Sequence, residues 1–269
     1  MSQYIKEELK RAFLSRTTIA TAFIAIILMV IGVTDSFQLD SYWLKHQSIF
    51  YLFVWGFTEG SSPYLLLLFP MISAIPFAAS LISDSKSGMS KYIALRMERK
   101  RYLQIKFFIN ALVGGFVLMI GPLVGLIALL IMKIFNHNPM LAMEVEKGFN
   151  LSTSTGQLFF DIGIESVWLM IVILLANLFI QGMVFSTFAL GMSTVIQNKY
   201  LTLVLPLGYL IFSGTVLATI HPNLYIVAIY NLSSLRDGIQ WWLGSVLFYL
   251  SLGSILYVIG GKIIAEKYV

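Results

Sequence analysis

Three histidines and 13 acidic residues are the chain's candidates for acid–base or metal chemistry, and no motif joins them. His46, His137 and His221 are scattered. No H-E-x-x-H sets two of them on one helix face around a glutamate, the pattern of a catalytic zinc site. A G-x-S-x-G nucleophile elbow is missing, and so is cysteine, which removes disulfides, thiolate metal sites and a cysteine nucleophile. The one Gly-Lys pair, Gly261-Lys262, has Leu256 where a phosphate-cradling Walker A loop needs glycine, and no Ser or Thr follows the lysine. By motif the chain is not an enzyme and holds no metal or cofactor of its own.

Two groups of polar residues stand out instead. Asn177 and Gln181 lie four apart inside an apolar run, so a helix puts them on one face. Neutral amides there serve either as interhelical hydrogen-bond glue or as polar contacts lining a substrate path. The second group fills residues 84–106, with seven basic side chains and the acids Asp84 and Glu98. Tyr92, Ile93, Leu95 and Arg96 suit a short helix parallel to a membrane. Its lysines and arginines either fix topology or form a contact surface. Gly88 is expected to permit a tight turn where a side chain would clash.

The elements that carry these residues follow from composition. Of 269 residues, 58% are hydrophobic and 12% charged, with a mean hydropathy of +0.84. A soluble domain carries roughly 25% charge, so a disordered chain, a nucleic-acid binder and almost any soluble enzyme are excluded. A bilayer core about 30 Å thick takes about 20 apolar residues at 1.5 Å each. Six runs qualify, at 17–34, 63–83, 107–132, 164–195, 201–220 and 242–261. The fourth is long for one straight crossing and must tilt or project. The aromatic stretch 49–57, with Tyr51, Trp55 and Phe57, is too short to span and is read as lying in the interface.

All 31 charged residues can be placed outside these runs or at their edges. Ion-coupled carriers keep ionisable groups at mid-membrane; this chain shows none. With the N-terminus inside, 14 basic residues face the cytoplasm and only Lys45, Lys133, Lys147 and Arg236 face out. That asymmetry predicts both termini inside and an even number of spans. Residues 1–16 are too charged for a signal peptide core. Ile5, Leu9, Ala12 and Phe13 share a helical face opposite Lys6, Glu7, Lys10 and Arg11, with Glu7 spaced to pair Arg11. The segment reads as an amphipathic helix in the interface, or more simply as a basic anchor before the first span. Pro70, Pro76 and Pro206 predict kinks. Gly121-Pro122-Leu123-Val124-Gly125 permits close helix approach. The whole is an all-α polytopic protein with one transmembrane domain over 1–269, an interfacial helix at 1–16, a cytoplasmic loop at 84–106 and an outer loop at 133–163.

The order of Asp84, Gly88, an apolar stretch at 92–95, Arg99, Tyr102-Leu103 and Lys106 resembles the ABC-2 type permeases, the membrane subunits of bacterial ABC exporters. Met97 stands near where the family often has a proline. The amphipathic N-terminus, six spans, inside termini and Leu205-Pro206 extend the resemblance over most of the chain. It implies a permease that works with a separate cytoplasmic ATPase carrying ATP and Mg, and with a second permease subunit, identical or not. It further implies that the loop, through Asp84, Gly88, Tyr92, Leu95, Arg96, Arg99, Tyr102 and Lys106, is the coupling element that docks on the ATPase. Spans without fixed charge suit an amphipathic or hydrophobic cargo, with an antimicrobial peptide favoured over a lipid or drug. A non-transporting immunity or ligand-binding membrane protein stays open as an alternative, as does an intramembrane enzyme, which the uncharged spans oppose.

Overall fold

The computed structural model describes residues 2–37, 53, 64–135, 167–196, 198–221 and 239–267, which are almost wholly helical, with no strand among them. The aromatic stretch 49–57 apart from Phe53, the outer loop 136–163, His46 and His137 lie outside the described residues.

Helix α1 (Ser2–Phe13) leads into α2 (Arg16–Phe37) across a 46° bend. Ser15 makes the corner. Its Oγ accepts from the Thr18 N–H at 3.0 Å, while the Thr18 hydroxyl donates back to the Ala12 carbonyl at 2.6 Å. One helix end and the next helix start are thus satisfied by the same two side chains.

The run 63–83 forms two short helices, α3 (Tyr64–Ala74) and α4 (Ser80–Lys86). Pro70 stays inside α3, but Pro76, which has no N–H to give, sits in the irregular turn 75–79. The Pro76 carbonyl accepts from the Thr17 hydroxyl at 3.3 Å, which fastens the break to α2. Ala74 and Ala78 pack on Ala189, small enough to bring the turn against the bundle. Gly88 then turns the chain with φ of 73° into α5 (Met89–Ala94).

Helix α6 (Arg99–Phe135) runs 37 residues, about 55 Å at 1.5 Å per residue, so it overshoots a ~30 Å core. Helix α7 (Val167–Val195) follows. Helix α8 (Lys199–Phe212) is capped by the Asn198 side chain, which accepts from the Tyr200 and Leu201 N–H groups. It continues through a π-helical turn (Ser213–Leu217) to Ile220. Helix α9 (Ile239–Lys267) closes the described chain.

Helix α7 is the hub, flanked by α6 and α9 through glycines. A Cβ on Gly114 or Gly182 would strike the facing helix backbone, and one on Gly191 would come within 2.7 Å of the Gly253 carbonyl. Gly121 and Gly125 of α6 seat Ala25 and Met29 of α2, so this G-x-x-x-G is used within the chain. Glycine contacts let van der Waals packing hold helices together where lipid gives no hydrophobic drive.

Four described helices are long and apolar enough to cross a membrane, namely Arg99–Met132, Ile171–Val195, Lys199–Ile220 and Ile239–Gly261. The bent pair of α1 and α2 makes a fifth if counted as one span. Among the described residues six uninterrupted spans are not seen, and α3 by itself is too short and ends before Pro76. These helices define a membrane-embedded protein.

Candidate functional site: a charged root under an exposed loop

The loop stands on three segments that meet at one end of the bundle. Helix α1 brings Glu8 and Arg11, α4 brings Asp84, and the first turns of α6 bring Tyr102 and Lys106. The Lys106 ammonium is fully buried, pairs with the Glu8 carboxylate and lies 2.7 Å from Asp84 Oδ2. Arg11 reaches Asp84 Oδ1 at 2.6 Å and Glu8 at 3.6 Å. The Tyr102 hydroxyl donates to Asp84 Oδ2 at 2.8 Å. Lys106 also lies over the Phe77 ring, 4.6 Å from its centre, which adds a cation–π contact to the pairing.

Burial opposes ionisation of Asp84. The Lys106 charge and the hydrogen bonds from Arg11, Lys106 and Tyr102 outweigh it and hold the carboxyl below its ordinary value. The two buried acids, Glu8 and Asp84, are balanced by buried Lys106 and by Arg11, whose side chain stays 38% exposed, so no buried charge lacks an opposite partner.

Above this root the loop presents a different surface. Ile93 and Met97 turn inward, onto the buried cluster of Leu81, Tyr102, Leu190 and Tyr257. Tyr92 and Leu95 turn outward, 73% and 85% exposed, beside exposed Arg96 and half-buried Arg99. The Arg11 guanidinium also touches the Met89 sulfur at 3.6 Å, so α1 reaches the first residue of α5.

The eight loop residues singled out from the sequence therefore separate. Asp84, Tyr102 and Lys106 are brought together inside; Tyr92, Leu95, Arg96 and Arg99 lie on or near the surface; Gly88 is the turn between α4 and α5. Nothing lies within 4 Å of a Cβ built on Gly88, so its left-handed φ, not a clash, demands glycine there. The expected Glu7–Arg11 pair is replaced: Glu7 is exposed, and Arg11 turns to Glu8 and Asp84. Sequence reasoning missed Glu8. Its signal was spacing, since Glu8 falls four residues from both Tyr4 and Ala12, on the stripe that packs inward.

The amides are engaged elsewhere. Asn177 accepts from Trp242 Nε1 at 3.1 Å and from Gln181 at 3.4 Å, both amides being buried between α7 and α9. Asn110 Nδ2 donates to the Ser186 carbonyl at 2.6 Å, tying α6 to α7. His221 stacks on Trp241, ring centres 4.5 Å apart. Among the described residues no cluster of three His, Asp or Glu could hold a metal ion.

Comparison of the chain with protein-family models, curated proteins and solved structures found no match, so the chemistry of the site has to be read from its own geometry.

Proposed function

We propose that this chain is the membrane subunit of an ABC-2 type exporter. It works with a separate ATPase that supplies ATP and Mg, and with a second permease subunit. In this reading the broken helix α3–α4 completes a sixth crossing, and α1 lies in the inner interface. Both termini and residues 84–106 face the cytoplasm of a bacterial cell. The cargo is amphipathic or hydrophobic, a peptide before a lipid or drug.

The observation that carries the proposal is the pairing of an exposed tip with a rigid root. Tyr92 and Leu95 are large apolar side chains held in the open beside arginines, on a six-residue helix that cannot hold itself together. Exposed apolar anchors rimmed by charge are what a docking surface offers. The buried ion pairs beneath give that surface something stiff to push against. The absence of a Walker A loop from the sequence leaves the energy source to a partner.

The test is composition and activity. The chain purified from its native membrane should retain a subunit with a G-x-x-x-x-G-K-[ST] motif, and hydrolyse ATP only with it. Robust hydrolysis by the chain alone, or no such subunit at all, contradicts the proposal. Topology is checked with single cysteines in this cysteine-free chain. An impermeant thiol reagent should reach position 147 but not position 96 in intact cells, and labelling at 96 contradicts the six-crossing reading.

A further inference from the structure

The root charges close on themselves. Arg11 contacts Glu8 at 3.6 Å, Glu8 pairs with Lys106, Lys106 contacts Asp84 at 2.7 Å, and Asp84 contacts Arg11 at 2.6 Å. Signs alternate around this ring. Helix α1 supplies two neighbouring corners, and the body supplies the other two from α4 and α6. Two of its four contacts therefore bridge α1 to the body, and two lie within one side or the other.

Apolar contact also holds α1, through Tyr4, Ile5, Leu9, Ala12 and Phe13. That face alone permits sliding, because apolar packing is non-directional. The ring does not, since each corner has opposite charges on both sides and like charge on the diagonal. A shift of α1 by one residue would carry Glu8 and Arg11 off their partners and strand buried charge, which costs far more than a solvated mismatch.

We propose that Glu8 and Arg11 are positioning residues. They key α1 to the loop root in a single register, so that α1, α4 and the start of α6 move as one unit. In the exporter, and resting on that reading, force delivered to the loop tip would reach α1 together with α6 and not α6 alone. Arg11 touching Met89 puts the same side chain on both the ring and the tip helix.

A ring makes a prediction that an isolated ion pair does not. Exchanging the charges of one bridging pair, Glu8→Lys with Lys106→Glu, keeps their mutual attraction. It sets the new lysine against Arg11 and the new glutamate against Asp84. An isolated pair would be rescued by the exchange; the ring is broken by it. The neutral control Glu8→Gln with Lys106→Met removes one bridge, leaves Asp84 held by Arg11 and Tyr102, and strands no charge.

The experiment uses the full chain in lipid nanodiscs. Spin labels go on cysteines replacing Gln3, at the far end of α1, and Lys86, at the end of α4, both exposed. The otherwise native chain should give one narrow distance. The neutral pair should add a longer distance, and the exchanged pair should populate it more than the neutral pair does. One narrow distance in the neutral pair, or a native distance in the exchanged pair, overturns the proposal. Because the readout needs no ATPase, it succeeds or fails independently of whether one is retained.

Discussion

The root and the tip of the loop use the same residue types to opposite ends. At the root, Asp84, Lys106 and Glu8 are buried with opposite charges in contact. At the tip, Arg101 and Glu98 are 3.5 Å apart, yet both are more than half exposed. Water screens the second pair and long side chains resist being fixed, so such a pair is worth roughly 0–1 kcal/mol. The buried set is different in kind. Its net value against an apolar replacement is small, but removing one corner leaves an uncompensated charge. Charge therefore locks geometry below and stays solvated above.

The largest effect should come from breaking the root. Asp84→Ala leaves Glu8 alone against both Lys106 and Arg11 and takes the acceptor from Tyr102, and should cost about 3–5 kcal/mol, the range for an opened buried pair, as a lowered melting temperature of the detergent-solubilised protein. Lys106→Met with Glu8→Gln and Asp84→Asn, which neutralises three corners at once, should cost clearly less. Equal losses would mean that the charges are not coupled.

Next come positions where backbone decides. Gly88→Ala keeps open space around its new Cβ but asks alanine for φ of 73°, so about 1–2 kcal/mol is expected. Gly121→Val sets bulk against the Ala25 carbonyl, 2.7 Å from the Cβ, and should cost about 1–3 kcal/mol by forcing α2 off α6. A neutral result at Gly121 would show that α2 has room to shift.

The smallest effect on stability belongs to the tip. Tyr92→Ala and Leu95→Ala should melt within about 0.5 kcal/mol of the native chain, since both side chains stand in the open. Acidity sharpens the contrast. Because the Asp84 pKa is lowered by folding, the folded state binds fewer protons there, and its contribution is present above the ordinary value of 3.8 and lost as pH falls through the lowered one. The stability difference between native and Asp84→Asn should thus be flat from about pH 8 to about pH 5. A difference that fades already near neutrality would contradict the ion-paired root.

The long helices were legible because lipid imposes a length. The expected runs 107–132, 164–195, 201–220 and 242–261 lie close to Arg99–Phe135, Val167–Val195, Lys199–Ile220 and Ile239–Lys267. The ends differ because helix continues past the apolar stretch for as long as backbone bonds can be made. The break at 75–79 was signalled by Pro76, though only as a kink. Within the loop, the apolar and basic residues announced a special segment, but not which way each would point. Asp84 meets Arg11 across 73 positions and Lys106 meets Glu8 across 98, and no local pattern specifies such partners. Local spacing instead favoured Glu7 for Arg11, a pairing that burial of Glu8 overrides. The G-x-x-x-G left its partner open for the same reason; Ala25 and Met29 are almost a hundred residues away.

The central claim is that the exposed tip, carried on an ion-paired root, is where this membrane protein meets its energy source. It is tested most directly by retention of the proposed ATPase subunit, measured for Tyr92→Ala, Leu95→Ala and Arg99→Ala at matched expression and matched melting temperature. If Arg99 makes a charged hydrogen bond at that contact, its loss should weaken retention by about 1.5–3 kcal/mol, roughly tenfold or more. All three variants should lose the ATPase and export together while staying folded. If all three hold the ATPase and export as the native chain does, the loop is a topological anchor only, and the contact has to be sought on α1 or around Tyr200.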